Sequence, residues 1–301
     1  MTDSLTPEMV SAFGLTDIGL VRKNNEDSFL IGDLSNGIVT SDEFPMNCRI
    51  GRDGSIFIVA DGMGGVQAGE VASHMAVDLV ARNFLDQLTQ KRSVNQQSFV
   101  TVLKRSIEEA NRILFQEGQK NSQHRGMGTT LTAAAVHETS IVFAQLGDSR
   151  AYLLRNGFIN QMTKDQSFVA QLVASGSLSP EEAKTHPRRN VILQALGVQP
   201  KVDVIISRAD LKKGDRLVLC SDGLWGKMET EEIKDLIDIH QPTDACQSLV
   251  SLARERGGED NITVIVACFD GDGLPEPTPG EGAGYERIEK KRRWWFWRWG
   301  T

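Results

Sequence analysis

The chain has 301 residues, 40% hydrophobic and 24% charged, with a net charge of −7. That balance excludes wholesale disorder, and the negative charge argues against nucleic acid as the main partner. No apolar run approaches the ~20 residues of a membrane-spanning helix, no secretory leader is visible at the N-terminus, and Cys48, Cys220, Cys246 and Cys268 form no C-x-x-C pair, so a reduced, cytoplasmic chain is expected.

In chain order, SFLI follows Asn25-Glu26-Asp27, and Ser55–Ala60 (SIFIVA) is the next β-like run. Two long helices follow. In the first, Ala72, Ala76, Val80, Phe84 and Leu88 recur every four residues; in the second, Phe99, Leu103, Ile107, Ala110 and Leu114 mark one face. Further strands are predicted at Leu131–Val136, Ser140–Leu146, Ala151–Leu154, Val202–Ser207, Arg216–Cys220 and Ile262–Phe269, with helices near 166–175, 229–239 and 243–256. Short turns such as Asn156-Gly157 point to antiparallel pairing. The expected class is α+β, with sheets in the middle and helices outside.

Charge divides the chain. Residues 285–301 hold six Lys/Arg and two Glu, a net of +4, which leaves −7 − 4 = −11 on the first 284 residues. Between them, twelve of the fifteen residues in Asp270–Gly284 are Gly, Pro or acidic, which predicts a flexible linker. The expected organisation is therefore a domain over 8–270, a linker over 271–284 and a basic-aromatic tail over 285–301. The tail sets Trp294, Trp295, Trp297 and Trp299 behind Lys290-Lys291-Arg292-Arg293. Three readings stay open for it: peripheral attachment to the inner membrane face, packing onto the acidic body, or docking to a protein partner.

The most informative feature is acidic. IFIVA ends in Asp61-Gly62 and RLVLCS in Asp222-Gly223; Glu259-Asp260-Asn261 leads into ITVIVACF, Gly147-Asp148 follows SIVFAQL, and Asn25-Glu26-Asp27 precedes SFLI. One Asp-Gly at a strand end is an ordinary turn. Five strand-end carboxylate sites in one domain call for compensation, because a buried unpaired carboxylate costs several kcal/mol. Hard oxygen ligands suit Mg²⁺ or Mn²⁺, whereas the five histidines have no paired ligand spacing for zinc.

Arg22-x-x-Asn25-Glu26-Asp27, Asp61-Gly62-Met63-Gly64-Gly65 with Ala68-Gly69-Glu70, Gly126-Met127-Gly128-Thr129-Thr130, Gly147-Asp148-Ser149-Arg150, Ser221-Asp222-Gly223-Leu224-Trp225 and Asp260-Asn261 stand in the order typical of PP2C-type (PPM) metal-dependent serine/threonine protein phosphatases. The resemblance covers about residues 14–269. Residues 163–167 and 186–190 resemble the bacterial branch and its flap. It implies an αββα sandwich of two antiparallel sheets flanked by helix pairs. It further implies two Mn²⁺ or Mg²⁺ ions bridged by Asp61, with the Gly62 carbonyl on one and Asp222 and Asp260 on the other. Glu26 and Asp27 would hold metal-bound waters or stand just behind the ligands. Asp148 matches the position of a third, weaker ion. The implied reaction is hydrolysis of phosphoserine or phosphothreonine on proteins by a water or hydroxide between two ions, which a pair about 3.5–4 Å apart can activate. Arg22 would clamp the phosphate, since a guanidinium engages two oxygens. Phosphorylated proteins are the implied partners, together with a cognate Ser/Thr kinase.

One departure concerns the acid that protonates the leaving group. Histidine is common in relatives at the position of Met63 or of Val66, and neither residue here ionises. The rival to the enzyme reading is a catalytically silent PP2C-fold regulatory or binding module, against which stands the retention of Asp61, Asp222 and Asp260. Gly147-Asp148-Ser149 also resembles the nucleophile block of GDSL-type hydrolases, but it lies mid-chain without their late Asp-x-x-His.

Overall fold

The computed structural model describes residues 9–43, 45–49, 54–64, 68–91 and 93–288. The chain opens with strands β1 (Met9–Asp17), β2 (Asp27–Asp33), β3 (Ile38–Thr40), β4 (Met46–Arg49) and β5 (Ser55–Met63), then helices α1 (Ala68–Thr89) and α2 (Gln96–Lys120). Strands β6 (Gly128–Thr129), β7 (Leu131–His137), β8 (Ser140–Leu146), β9 (Arg150–Arg155) and β10 (Phe158–Gln161) lead to two short helices, α3 (Phe168–Ala174) and α4 (Pro180–Thr185). Next come β11 (Ile205–Asp210), β12 (Asp215–Cys220), α5 (Asp222–Trp225), α6 (Thr230–Ile239), α7 (Pro242–Glu255), β13 (Ile262–Phe269) and β14 (Glu286–Arg287).

One sheet has the order β10-β9-β12-β13-β1-β4; the other is β14-β11-β8-β7-β5-β2-β3, with β6 beside β5. All the strand pairs are antiparallel. Three apolar layers fill the molecule. On β5, Ile56, Ile58 and Ala60 pack towards α1 and α2, while Phe57 and Val59 face the other sheet. On β13, Ile265, Ala267 and Phe269 face inward to the same middle layer, and Ile262, Val264 and Val266 pack with Leu249, Ala253 and Ile233 of α7 and α6. Central strands are therefore buried on both faces, which is why their sequences are unbroken apolar runs rather than alternating ones. This is the expected αββα arrangement.

The Asn156-Gly157 turn has φ of 51° and 77°, the paired left-handed geometry of a tight hairpin. Other details differ from expectation. The strand expected at 202–207 lies at Ile205–Asp210, because its register is fixed by β8, from Ile205 opposite Gln145 to Asp210 opposite Ser140. Strand β1 and helix α4 carry too little apolar periodicity to stand out in sequence.

The largest difference is at 271–284, expected as a free linker. It lies along the domain as a strap. Arg155, only 5% exposed at its side chain, pairs with the fully buried Asp215 through two hydrogen bonds of 2.8 and 2.7 Å, and its third arm donates to Glu281 at 3.1 Å. Asn156 Nδ2 donates to the carbonyls of Thr278 and Glu281 at 2.9 and 3.0 Å, and the Lys213 amide to that of Pro275 at 3.0 Å. Leu274 and Ala283 are buried in the middle layer. Beyond it β14 pairs with β11, and the Ile288 amide donates to Ile206 at 2.9 Å. A segment too poor in apolar residues for a core of its own is held by partners on the β9–β10 and β11–β12 turns. The start of the expected tail thus belongs to the fold; its aromatic part, with Trp294, Trp295, Trp297 and Trp299, lies outside the described residues.

Removing Arg155 strands the Asp215 carboxylate in the interior. Arg155→Ala is expected to cost about 3–5 kcal/mol in urea unfolding and to open the strap to limited proteolysis within 271–284. An unchanged midpoint and cleavage pattern would show that the strap is held by its other contacts.

Candidate metal centre

The acidic residues converge at one end of the two sheets because antiparallel pairing brings their strand termini together. Asp27 at the start of β2 stands opposite Asp61 near the end of β5. Asp222 opens α5 directly after β12, Asp260 lies on the approach to β13, and Asp148 follows two residues after the end of β8. The Asp61 backbone is fixed on both sides: its amide donates to Thr130 Oγ1 at 2.9 Å, and its carbonyl accepts from the Thr130 amide at 2.8 Å and from Thr129 Oγ1 at 2.9 Å.

Glycine is required where backbones meet. A Cβ on Gly62 would lie 2.2 Å from the Gly69 carbonyl oxygen and 2.4 Å from that of Glu26, and a Cβ on Gly223 would lie 2.0 Å from that of Asn261. The Asp-Gly pairs of the sequence therefore serve close packing of three loops around the acids.

The electrostatics are strained. Burial first, and then the charges of Asp27, Asp222, Asp148 and Asp260, push the Asp61 carboxyl well above its ordinary range. Burial likewise raises Asp27 to about 7, against hydrogen bonds from Ser221 and Thr263 that favour its charge; Ser221 Oγ donates to Asp27 Oδ2 at 2.7 Å. Asp148 is raised to about 7 by burial and by the charges of Asp222 and Asp165. Asp222 is raised to about 6 by burial and Asp260, and shares a hydrogen bond with Asp61. Glu26 is raised too, by burial foremost. Without a cation these groups hold protons that the same carboxyls in water would release.

The donor set fits divalent ions. All the side-chain donors are hard oxygens, and Asp148 Oδ1 is buried with no hydrogen-bond partner, a lone pair left for a ligand. Among the described residues no three acidic, His or Cys side chains are gathered tightly enough to enclose an ion by themselves. Both oxygens of Asp260 are already engaged: its Oδ2 accepts from Arg22 at 2.7 Å and its Oδ1 from the Asn261 amide at 2.9 Å. Arg22, half-exposed at the mouth, occupies a carboxylate that the sequence assigns to metal. Arg22, Glu26, Asp27, Asp61, Asp148, Asp222 and Asp260 are thus all brought to one site. Gly62 lies beside them, its amide donating to the Glu26 carbonyl at 3.0 Å. Met63 is half-buried near this end, and Val66 lies outside the described residues.

Sequence reasoning assigned no role to two supports. Asn261 Oδ1 accepts from the Glu26 amide at 2.8 Å, and its Nδ2 donates to the carbonyls of Ile18 and Asn24, both at 3.0 Å; one side chain ties the Arg22 loop to Asp260. Arg150 donates to Asp165 at 2.7 Å and lies 3.6 Å over the Trp225 ring, whose Nε1 donates to the Asp148 carbonyl at 3.0 Å. Both residues stand inside quoted motifs, and only the three-dimensional partners reveal what they hold.

Comparison with known proteins agrees with this geometry. The family model described as Protein phosphatase 2C matches residues 32–256. The serine/threonine phosphatase stp of Listeria monocytogenes is 36% identical over 256 residues, covering 85% of this chain and 94% of its own. Protein phosphatase PhpP of Streptococcus pneumoniae is 36% identical over 260 residues, covering 85% and 96%. The crystal structure of the Mycobacterium tuberculosis serine/threonine phosphatase PstP/Ppp superposes with a TM-score of 0.72 at 33% identity, covering 87% of this chain and 99% of that one. The catalytic domain of the phosphatase PstP, solved in complex with two manganese ions, superposes with a TM-score of 0.70 at 32% identity, with 87% and 99% covered. The chain belongs to the protein phosphatase 2C family, as a bacterial-type serine/threonine protein phosphatase.

Proposed function

We propose that Asp61, Asp222 and Asp260, with the carbonyl of Gly62, hold two Mn²⁺ or Mg²⁺ ions, and that Asp148 contributes to a third, weaker one. The observation that carries this reading is the cluster of buried carboxyls, each pushed upward in pKa by burial and by neighbouring carboxylates, whose charged forms a cation would compensate. When bound, such ions supply charge for the phosphate and acidity for an attacking water. The chain's own residues supply the rest. Asp27, Asp148 and Asp222 give up protons as the site fills, and Glu26 and Asp27 stand behind the ligands as acceptors for ordered waters. Arg22 exchanges Asp260 for the two oxygens of a phosphoryl group. Protonation of the departing serine or threonine oxygen falls to water or to another residue, since neither Met63 nor Val66 carries a proton to give. The substrates would be phosphoproteins, a Ser/Thr kinase of the same cell and its targets among them.

The test is hydrolysis of a phosphothreonine peptide. Turnover is expected with Mn²⁺ or Mg²⁺ and none in EDTA, and Asp61→Asn and Asp222→Asn should each cost at least about a hundredfold. Arg22→Ala should chiefly raise KM, by about ten- to a hundredfold for a lost charge-assisted contact of roughly 1.5–3 kcal/mol. It should also tighten Mn²⁺ binding in calorimetry, since Asp260 loses its resident cation. Full turnover in EDTA after exhaustive dialysis would overturn the reading.

A pH dependence follows with a definite sign. In the metal-free protein, Asp27, Asp148 and Asp222 bind protons more tightly folded than unfolded. Their contribution is therefore present at pH values below the unfolded carboxyl pKa of about 4 and is lost as pH rises through the folded values of about 6 to 7. The melting temperature in EDTA should fall between pH 5 and 7.5, roughly the window of those shifts, and Mn²⁺ should reverse the fall. A flat profile in EDTA would show that these carboxyls are already compensated.

The tail is read as a peripheral contact with the inner membrane face, through Trp294, Trp295, Trp297, Trp299 and the preceding basic run. Among the described residues no helix is long and apolar enough to cross a membrane, and aromatic rings with lysine and arginine suit a headgroup layer. The strap adds a direction. Glu286 stands opposite Arg208 and Arg287 opposite Ser207, so the chain advances towards Ile205, itself opposite Gln145 just ahead of Asp148. The described chain ends at Ile288 heading for the acidic end, so a tail anchored in a bilayer would turn the catalytic mouth towards it. Intact protein should sediment with vesicles of anionic phospholipid and be released by salt, whereas a chain ending at Ile288 should stay in solution. Equal sedimentation of the two would reject the anchor.

A further inference from the structure

The turn between β1 and Arg22 carries an unexplained apolar surface. Ile18, Leu20 and Val21 are 38%, 58% and 64% exposed. Scattered exposed apolar residues are ordinary on protein surfaces; three within four positions, at the rim of an acidic site, are a patch. The turn is also fixed. The Gly19 amide donates to Asp17 Oδ1 at 2.8 Å, the Leu20 amide to the Gly258 carbonyl at 2.7 Å, and Asn261 Nδ2 to the Ile18 carbonyl at 3.0 Å. Gly19 has a φ of +79°, and a Cβ there would stand 2.3 Å from the Asp260 carbonyl oxygen. The side chains are therefore presented by a braced loop seated on the segment that carries Asp260.

Leu20 also borders a groove of about 460 Å³ with Leu15 and Val250, rimmed by Asp17, Arg254 and Glu255. Asp17 and Arg254 pair across 2.8 Å, so much of the groove's charge is cancelled, and Leu15, Leu20 and Val250 offer apolar contact beside the uncharged Gln247 and Ser251. We propose that this turn and groove dock an apolar side chain of the phosphoprotein substrate, close in sequence to the phosphorylated residue. The proposal rests on Arg22 as the phosphate contact. It commits to this occupant through continuity with the site: Leu20 and Arg22 are two residues apart, at most about 7 Å between Cα atoms. A phosphothreonine held at Arg22 thus brings residues about two or three positions away over Leu20 and Val21. Apolar burial supplies the affinity, and the acidic mouth disfavours carboxylates in the same stretch.

The experiment compares phosphothreonine peptides that carry leucine, serine or aspartate two and three positions to either side, using the full chain with Mn²⁺. The leucine peptides are expected to show kcat/KM roughly three- to tenfold above the serine peptides, the range expected for partial burial of one such side chain, and the gain should lie in KM. Leu20→Ser and Val21→Ser should bring that ratio near one. Ile239→Ser, which alters an apolar residue 74% exposed at the end of α6, should keep it. Unchanged melting temperatures establish that the variants fold. No preference in the unaltered chain, or a preference that survives both turn variants, overturns the proposal. So does a preference that appears only when residues 289–301 are removed, which assigns the groove to the chain's own tail, or a dimer that Leu20→Ser dissolves, which assigns it to a second copy. Absence of all hydrolysis is a separate result and bears on the metal centre. An Arg22→Ala variant that keeps both KM and the leucine preference removes the phosphate contact without touching the groove.

Discussion

Repulsion among buried carboxylates is the constraint around which the catalytic end of this molecule is organised. Asp27, Asp61, Asp148 and Asp222 are pushed upward in pKa by burial before any neighbour is considered, and each is then raised further by at least one neighbouring carboxylate, Asp260 in the case of Asp222. A fold that gathers such groups must hold them with rigid elements or they will separate towards water. Pairing of β2 with β5 and of β12 with β13 provides the frame. Glycines at 62 and 223 let loop backbones approach within distances that a Cβ would forbid. Asn261 and the Arg150–Asp165–Trp225 group then lock the loops to one another. Stability is given up at the acids and recovered in the doubly buried strands behind them.

Much of this was legible in sequence. Central strands such as Ile262–Phe269 are apolar at every position but one, Thr263, which announces burial on both faces, and helices α1 and α2 carry apolar residues at fourfold spacing. The acids could be found because each lies at the end or start of such a strand, Asp61, Asp148 and Asp222 beside a glycine, and their order along the chain matches a family. What the sequence concealed depends on distant partners. Arg155 and Glu281 lie 126 positions apart, and nothing in DGDGLPEPTPGEGAG marks Leu274 and Ala283 as buried in the core. Composition measures whether a segment can make a core; it is blind to whether one is offered elsewhere. Asn261 was hidden for a related reason: an asparagine after an aspartate reads as a turn former until its three loop contacts are seen.

Under the proposed roles of these residues, the pairing of Arg22 with Asp260 would connect the metal centre to substrate recognition. A guanidinium on a carboxylate offers the charge of a cation without its coordination, so Asp260 has a counter-charge before any ion arrives. Under the proposed reading, filling the metal site and freeing Arg22 for phosphate would be one event, because Asp260 can serve either the arginine or an ion with the same oxygen. The exchange costs little because both side chains are partly solvent-exposed, where an isolated ion pair contributes about 0–1 kcal/mol. A deeply buried pair, such as Arg155 with Asp215, could not serve this way, since its separation would leave a charge without water or partner. These two arginine–aspartate pairs thus differ in duty because they differ in burial: one fixes the strap that directs the C-terminal segment, and the other is placed where it can be broken.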